Sequence, residues 1–117
     1  MKKVRIILSP EAEEVYTYLN KEAPSSKIEK SILNAVNKKI ELIKNNIHYG
    51  RPISKKKIPK EYTTKYGVKN LFWVDLPNFW RMIYTLTNND SKVEIIAFVL
   101  DVMDHPTYNK KFGYKGH

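Results

Sequence analysis

No cysteine occurs among the 117 residues, which excludes disulfides, thiolate metal sites and a cysteine nucleophile. Glycine is scarce, at four residues, and none falls into the spacing of a Walker or Rossmann loop, so glycine-cradled nucleotide binding is not expected. His48, His105 and His117 are too scattered to form a ligand set, and neither a metal nor another cofactor is expected. Paired acids suited to glycoside chemistry are also missing, and Asp101 and Asp104 read as structural or as lysine partners. The early apolar run in MKKVRIILSP is too short to span a bilayer, and no small-residue cleavage site follows it. A cytoplasmic protein without a membrane partner is therefore the expectation.

What is present is a foldable composition, 42% hydrophobic and 28% charged, suited to one domain over residues 1–117. The formal net charge of +9 is distributed unevenly. Between residues 47 and 70 stand seven Lys/Arg against one acid, and the tail from His105 holds three lysines and no acid. Residues 71–104 carry five acids against two cations. Two basic segments flanking an acidic stretch suggest a polyanion footprint once folding brings them together.

Val4, Ile6, Ile7 and Leu8 predict a first strand over residues 3–8. Ser9-Pro10-Glu11 then opens a helix, with Ser as the cap and acids near the positive dipole end; Ala12, Val15 and Leu19 mark its inner face. Ser26 and Glu29 form a capping box ahead of a second helix whose stripe runs Ile28, Ile32, Ala35, Val36, Ile40, Ile43 and Ile47 and ends near Asn45–Asn46. From Tyr49 to Asn70 no period is sustained, though Pro59 can start a short helix reaching Tyr66, and so long a connection points to function or mobility. Three strands follow: LFWVDL (71–76), a turn at Pro77-Asn78, FWRMIYTL (79–86), turn residues TNNDS, and KVEIIAFVLDVM (92–103). The last is apolar enough to be central and covered on both faces. The order β-α-α-β-β-β predicts an α+β fold, a mostly antiparallel twisted sheet with two helices on one side and a short C-terminal segment or helix.

Three stretches can carry chemistry. Arg81 lies among Phe79, Trp80, Met82 and Ile83, so it either pairs with Asp75 on the neighbouring strand or faces an open side where its planar fork can grip a phosphate. The connection carries Lys55, Lys56, Lys57, Lys60, Lys65 and Lys69, whose crowding lowers proton affinity and can leave one as a base. Tyr62 and Tyr66 lie between these lysines and can stack on unpaired bases, or all of these residues form a solvated loop. In the tail DHPTYNKKFGYKGH, His105 and Tyr108 form either an acid/base pair suited to neutral pH or, with Phe112 and Tyr114, aromatic anchors; Phe112 reads as an anchor. Trp73, Phe79 and Trp80 can be core or interface, and a homo-oligomer is compatible with either.

The strand WRMIY, the tail DHPTYNKKFGY and the stretch GRPISKKKIPKEYTTKYGVKNLFWVDLP together resemble the RelE/ParE superfamily of toxins from type II toxin–antitoxin systems, in particular its archaeal, RelE-like branch. The resemblance runs from about Ile47 to Tyr114 and implies a RelE-like fold with an open cleft. It implies a metal-independent endonuclease that cleaves messenger RNA on the ribosome by attack of the RNA's own 2′-hydroxyl, or, in ParE-type fold-mates, a non-nuclease that poisons DNA gyrase. A catalytically inactive RNA-binding relative is a third possibility. For the nuclease, Arg81 would stabilise charge on phosphorus, Lys57 or Lys60 would act as base or second cation, and His105 or Tyr108 would complete proton transfer. Lys55, Lys56, Lys65, Lys69, Tyr62, Tyr66, Lys110 and Lys111 would bind RNA. A cognate antitoxin would cover the cleft. Many relatives of the RelE type place an arginine beside the tail histidine; this chain has Pro106 there, with Lys110 or Lys111 left to replace it.

Overall fold

The computed structural model describes residues 3–88, 94–104, 110 and 112, with side chains described for 4–87, 104, 110 and 112. Strand β1 is Lys3–Leu8, helix α1 Pro10–Glu22 and helix α2 Lys27–Asn45, with a 3-10 turn Ala23–Ser25 between the helices. The connection supplies strand β2 (Arg51–Pro52), a 3-10 turn (Lys55–Lys57) and helix α3 (Lys60–Tyr66); strands β3 (Phe72–Leu76), β4 (Trp80–Asn88) and β5 (Glu94–Asp104) follow. The expected α+β order is present, and α2 ends at Asn45, where its end is expected, with Ile47 of the stripe just beyond it. None of the described helices is long and apolar enough to cross a membrane.

Both major helices start on hydroxyl caps. Ser9 Oγ accepts the Ala12 amide at 3.0 Å, with Pro10 at the first helical position. Ser26 Oγ accepts the Glu29 amide at 3.4 Å and donates to the Glu29 carboxylate, which holds that carboxyl below its usual range. The two interactions form a local device that fixes the start of α2. Helix α3 stops at Gly67, whose φ of 61° is the left-handed conformation a helix end favours in glycine.

The sheet order is β1-β5-β4-β3-β2, with β1 parallel to β5 and every other pair antiparallel. Strand β5 is therefore interior, as its sequence suggests. Between Ile83 and Tyr84 the β4–β5 register shifts, since Ile83 pairs with Asp101 but Tyr84 with Val99; this local irregularity increases twist.

Side-chain alternation divides β3 and β4 between two cores. On one face Val74, Leu76, Met82 and Tyr84 join Ala12, Leu19, Ile32, Leu33, Val36 and Ile43 of the helices. Ile28, placed on the α2 stripe by its spacing, is instead 56% exposed because it lies in the first turn, beyond the reach of the sheet. On the other face Ile83 packs with Ile53, Tyr62, Val68, Leu71 and Phe112, with Ile58, Tyr66 and Trp73 partly buried around them. Thus the aperiodic connection folds onto the sheet's second face and supplies most of a second core.

Two polar pins fix its ends. The fully buried Tyr84 hydroxyl donates to the Ile47 carbonyl (2.8 Å) and accepts the Gly50 amide (2.9 Å). Asn70 is tied to β4: its side-chain amide donates to the Leu86 carbonyl, its side-chain oxygen accepts from the Leu86 amide, and the Thr85 hydroxyl lies within hydrogen-bond distance of both that oxygen and the Asn70 backbone carbonyl.

Candidate nucleic-acid interface

Arg81 stands opposite Asp75 in the β3–β4 register, and its Nε donates to Asp75 Oδ1 at 3.4 Å. Its guanidinium carbon lies 4.0 Å from the centre of the Trp73 ring. Because Trp73, Asp75, Arg81 and Ile83 alternate with helix-facing residues, they share the second face of the sheet. The Asp75 pairing is present, as one of the two readings of Arg81 requires. The Asp75 side chain is 71% exposed against 17% for Arg81, however, so solvent screens the pair strongly.

A second guanidinium, that of Arg51 on edge strand β2, lies 5.3 Å from the same Trp73 ring. An indole's electron-rich face offsets part of the repulsion between cations gathered around it. Beside this group is a hollow of about 200 Å³ lined by Lys39, Tyr49, Gly50, Arg51, Trp73 and Asp75. Lys39 Nζ donates to the Tyr49 hydroxyl at 3.0 Å. A methyl group at Gly50 would fall 2.7 Å from Tyr84 Cε1 and 3.1 Å from the Trp73 carbonyl, so glycine is what lets β2 lie this close.

The lysine-rich turn is held on this same face. Ile53 and Ile58, at either end of Lys55–Lys57, pack into the core that Trp73 borders, and the Ile53 amide donates to the Leu71 carbonyl at 2.8 Å. Lys55, Lys56, Lys57, Lys60 and Lys69 are all exposed.

Three residues of the connection behave differently from the expected RNA contacts. Tyr62 is only 3% exposed, and its ring packs against Phe112 with centroids 6.3 Å apart, so it supplies core surface and presents no face to a base. Lys65 and Tyr66 both bind the Glu11 carboxylate in the first turn of α1. The Lys65 bond first, and then the Tyr66 hydroxyl, hold Glu11 at about 2, well below the usual carboxylate range. Burial, followed by the bond to Glu11, raises the Tyr66 phenol. These two side chains fasten α3 to α1.

Phe112 is 4% exposed in the second core, an anchor as its sequence suggests, and Lys110 is exposed. His105, Tyr108 and Lys111 lie outside the described residues. Asp104, the residue before His105, pairs with Trp80, one position from Arg81. Among the described residues no group of three or more His, Asp or Glu side chains could hold a metal ion.

Sequence reasoning missed Arg51, Lys39 and Tyr49 and left Trp73 undecided. Alternation in LFWVDL does place Trp73 with Asp75, opposite Phe72, Val74 and Leu76. The pairing of Arg51 with Trp73 comes from a two-residue strand that has no period to detect.

No family model and no curated protein sequence matches the chain. The fold itself is similar to that of a known class of small toxin. One solved structure of similar fold is a YoeB/ParE toxin from Agrobacterium tumefaciens, with a TM-score of 0.60 and 10% identity over 86% of this chain and 98% of that one. At that identity, what is shared is the fold.

Proposed function

We propose that the chain is the toxin of a type II toxin–antitoxin pair and acts in the cytoplasm as a metal-independent, ribosome-dependent messenger RNA endonuclease of the RelE kind. The observation that carries this reading is the group of Arg81 and Arg51 about Trp73, on the sheet face that also holds the lysine-rich turn. The fold likeness to a YoeB/ParE toxin supports it.

In the reaction the RNA's 2′-oxygen attacks the adjacent phosphorus and the bond to the 5′-oxygen breaks. The 2′-hydroxyl proton leaves to a base, and the 5′-oxygen gains a proton. Extra negative charge accumulates on the non-bridging oxygens between these events. Arg81 is the preorganised donor for that charge, because its guanidinium is already seated on Trp73 and needs little reorganisation. Lys57 or Lys60 serves as base or second cation, and His105 or Tyr108 completes the proton transfers. Lys55, Lys56, Lys69, Lys110 and Lys111 hold the backbone, and a cognate antitoxin of acidic, amphipathic character covers the cationic face when the toxin is silent.

The test is induction in cells with mapping of RNA 5′ ends. Wild type should arrest translation and create new ends, while Arg81→Ala should lose about 10²–10³-fold of the cleavage rate. Arrest with intact message refutes the nuclease. The Asp75 carboxylate on Arg81 favours one second reading, a relative that binds RNA without cutting it. In that case binding, but no cleavage, should depend on the exposed lysines.

A further inference from the structure

The β3–β4 hairpin turns through Asn78 and Phe79, both with left-handed backbones (φ 58° and 63°), and the Trp80 amide donates to the Pro77 carbonyl at 3.3 Å. This is the signature of a type I′ turn, whose two central positions favour Asn followed by Gly. Asn78 fits. Phe79 does not, because a bulky side chain at positive φ is strained. Burial does not offset the strain, since Phe79 is 78% exposed and is the most exposed large hydrophobic side chain among the described residues. A glycine would relieve the backbone and remove an aromatic ring from water, so the ring serves neither the turn nor the core.

Its surroundings indicate the occupant. Phe79 lies two residues before Arg81 on the same chain, so their Cα atoms are at most about 7 Å apart, a span that one nucleotide can bridge. From Leu76 to Trp80 the hairpin end carries no charged residue. The neighbouring carboxylate on this face, Asp75, is bonded to Arg81. An exposed aromatic ring two residues from a guanidinium, on an uncharged tip, suits the π-face of an unpaired base whose phosphate that guanidinium holds. We infer that Phe79 is a base-stacking residue that positions single-stranded RNA on the Arg81–Trp73–Arg51 face. The inference rests on the RNA-directed reading above and adds a positioning contact to it.

The experiment uses the full chain and an uncleavable 2′-O-methyl RNA oligonucleotide carrying a fluorescent adenine analogue. Phe79→Gly should bind about five- to 150-fold more weakly, the range for loss of one base–aromatic stack, and should no longer quench the analogue. Phe79→Trp should restore both. The melting temperature of Phe79→Gly should equal or exceed that of wild type, which a merely structural residue would not allow. Equal affinity of wild type and Phe79→Gly overturns the inference and leaves the RNA reading intact. No RNA binding by wild type overturns both. If Phe79→Gly loses only a protein partner while RNA affinity holds, the ring belongs to a protein contact and the inference is wrong.

Discussion

Replacing Tyr84 with Phe removes one oxygen atom from the centre of the molecule, and the structure fixes what that should cost. The hydroxyl is the partner of two backbone groups, the Ile47 carbonyl and the Gly50 amide, at 2.8 and 2.9 Å. The residue is fully buried, so neither group gains water in its place. Leaving a buried backbone group without a partner costs about 1–3 kcal/mol, so two of them should cost about 2–6 kcal/mol. For a chain of this length that lowers the melting temperature by about 10 °C or more. Burial raises the Tyr84 phenol above its ordinary value, so the bond to Ile47 persists to strongly alkaline pH. Thermal and urea unfolding followed by circular dichroism measure the effect directly. The pin also joins the exit of α2 to β2, so Arg51 should lose its place over Trp73, and RNA affinity at a temperature where the variant is folded should fall as well. A stability loss under about 1 kcal/mol would refute the argument, since it would show that the loop's backbone groups find other partners.

Other perturbations test other links. Glu11 titrates near 2 when folded and at its usual 4.5 when unfolded, so its contribution is fully present above pH 4.5 and is lost as pH falls toward 2. With the Glu11 side chain 38% exposed, screening limits that contribution to about 1 kcal/mol, and Glu11→Gln should remove this part of the acid dependence in a stability–pH series. Phe112→Ala should cost about 3–5 kcal/mol in urea unfolding, as a large ring leaves the second core. Gly50→Ala should be destabilising at the same site as Tyr84→Phe, with the two effects failing to add in a double-mutant cycle because both act on one contact. Asp75→Asn should change stability by less than about 1 kcal/mol, while the salt dependence of RNA binding steepens as one negative charge leaves the face that carries Arg81.

How much of this could be read from the sequence depends on the distance over which each feature is encoded. Ser9 with Ala12 and Ser26 with Glu29 are partners three residues apart, so both helix starts are visible in the sequence. The stripe of Ile32, Val36 and Ile43 is likewise a local period, and α3 starts after Pro59 as its proline suggests. The bond from Lys65 to Glu11 crosses 54 residues, and nothing near either residue announces it. Tyr62 reads as a stacking residue because lysines surround it in the sequence. Those lysines are exposed at their ends, whereas the backbone of α3 turns the tyrosine ring inward onto Phe112. The apolar neighbours of Phe79 read as strand, but the left-handed backbone at Asn78 extends one residue further and puts Phe79 in the turn.

The second core explains why a segment without periodic pattern can still carry a site. Electrostatic stabilisation of a reacting phosphate requires charges that do not reorganise during the reaction. Lysines on a free loop would fail that requirement. Here the turn Lys55–Lys57 is bounded by Ile53 and Ile58, both packed against the residues that seat Trp73, while Tyr84 and Asn70 pin the two ends of the connection to β4. The cations are therefore exposed while their backbone is fixed. Arg81 combines the same properties: its side chain is mostly buried and its guanidinium carbon lies over an indole, yet the Asp75 carboxylate bonded to it is largely in water. An ion pair that exposed is worth at most about 1 kcal/mol, too little to keep out a phosphate, which binds a guanidinium through stronger charge-assisted hydrogen bonds. Asp75 consequently orients the guanidinium in the empty state without blocking it, and removing Asp75 should loosen Arg81 before it strengthens binding.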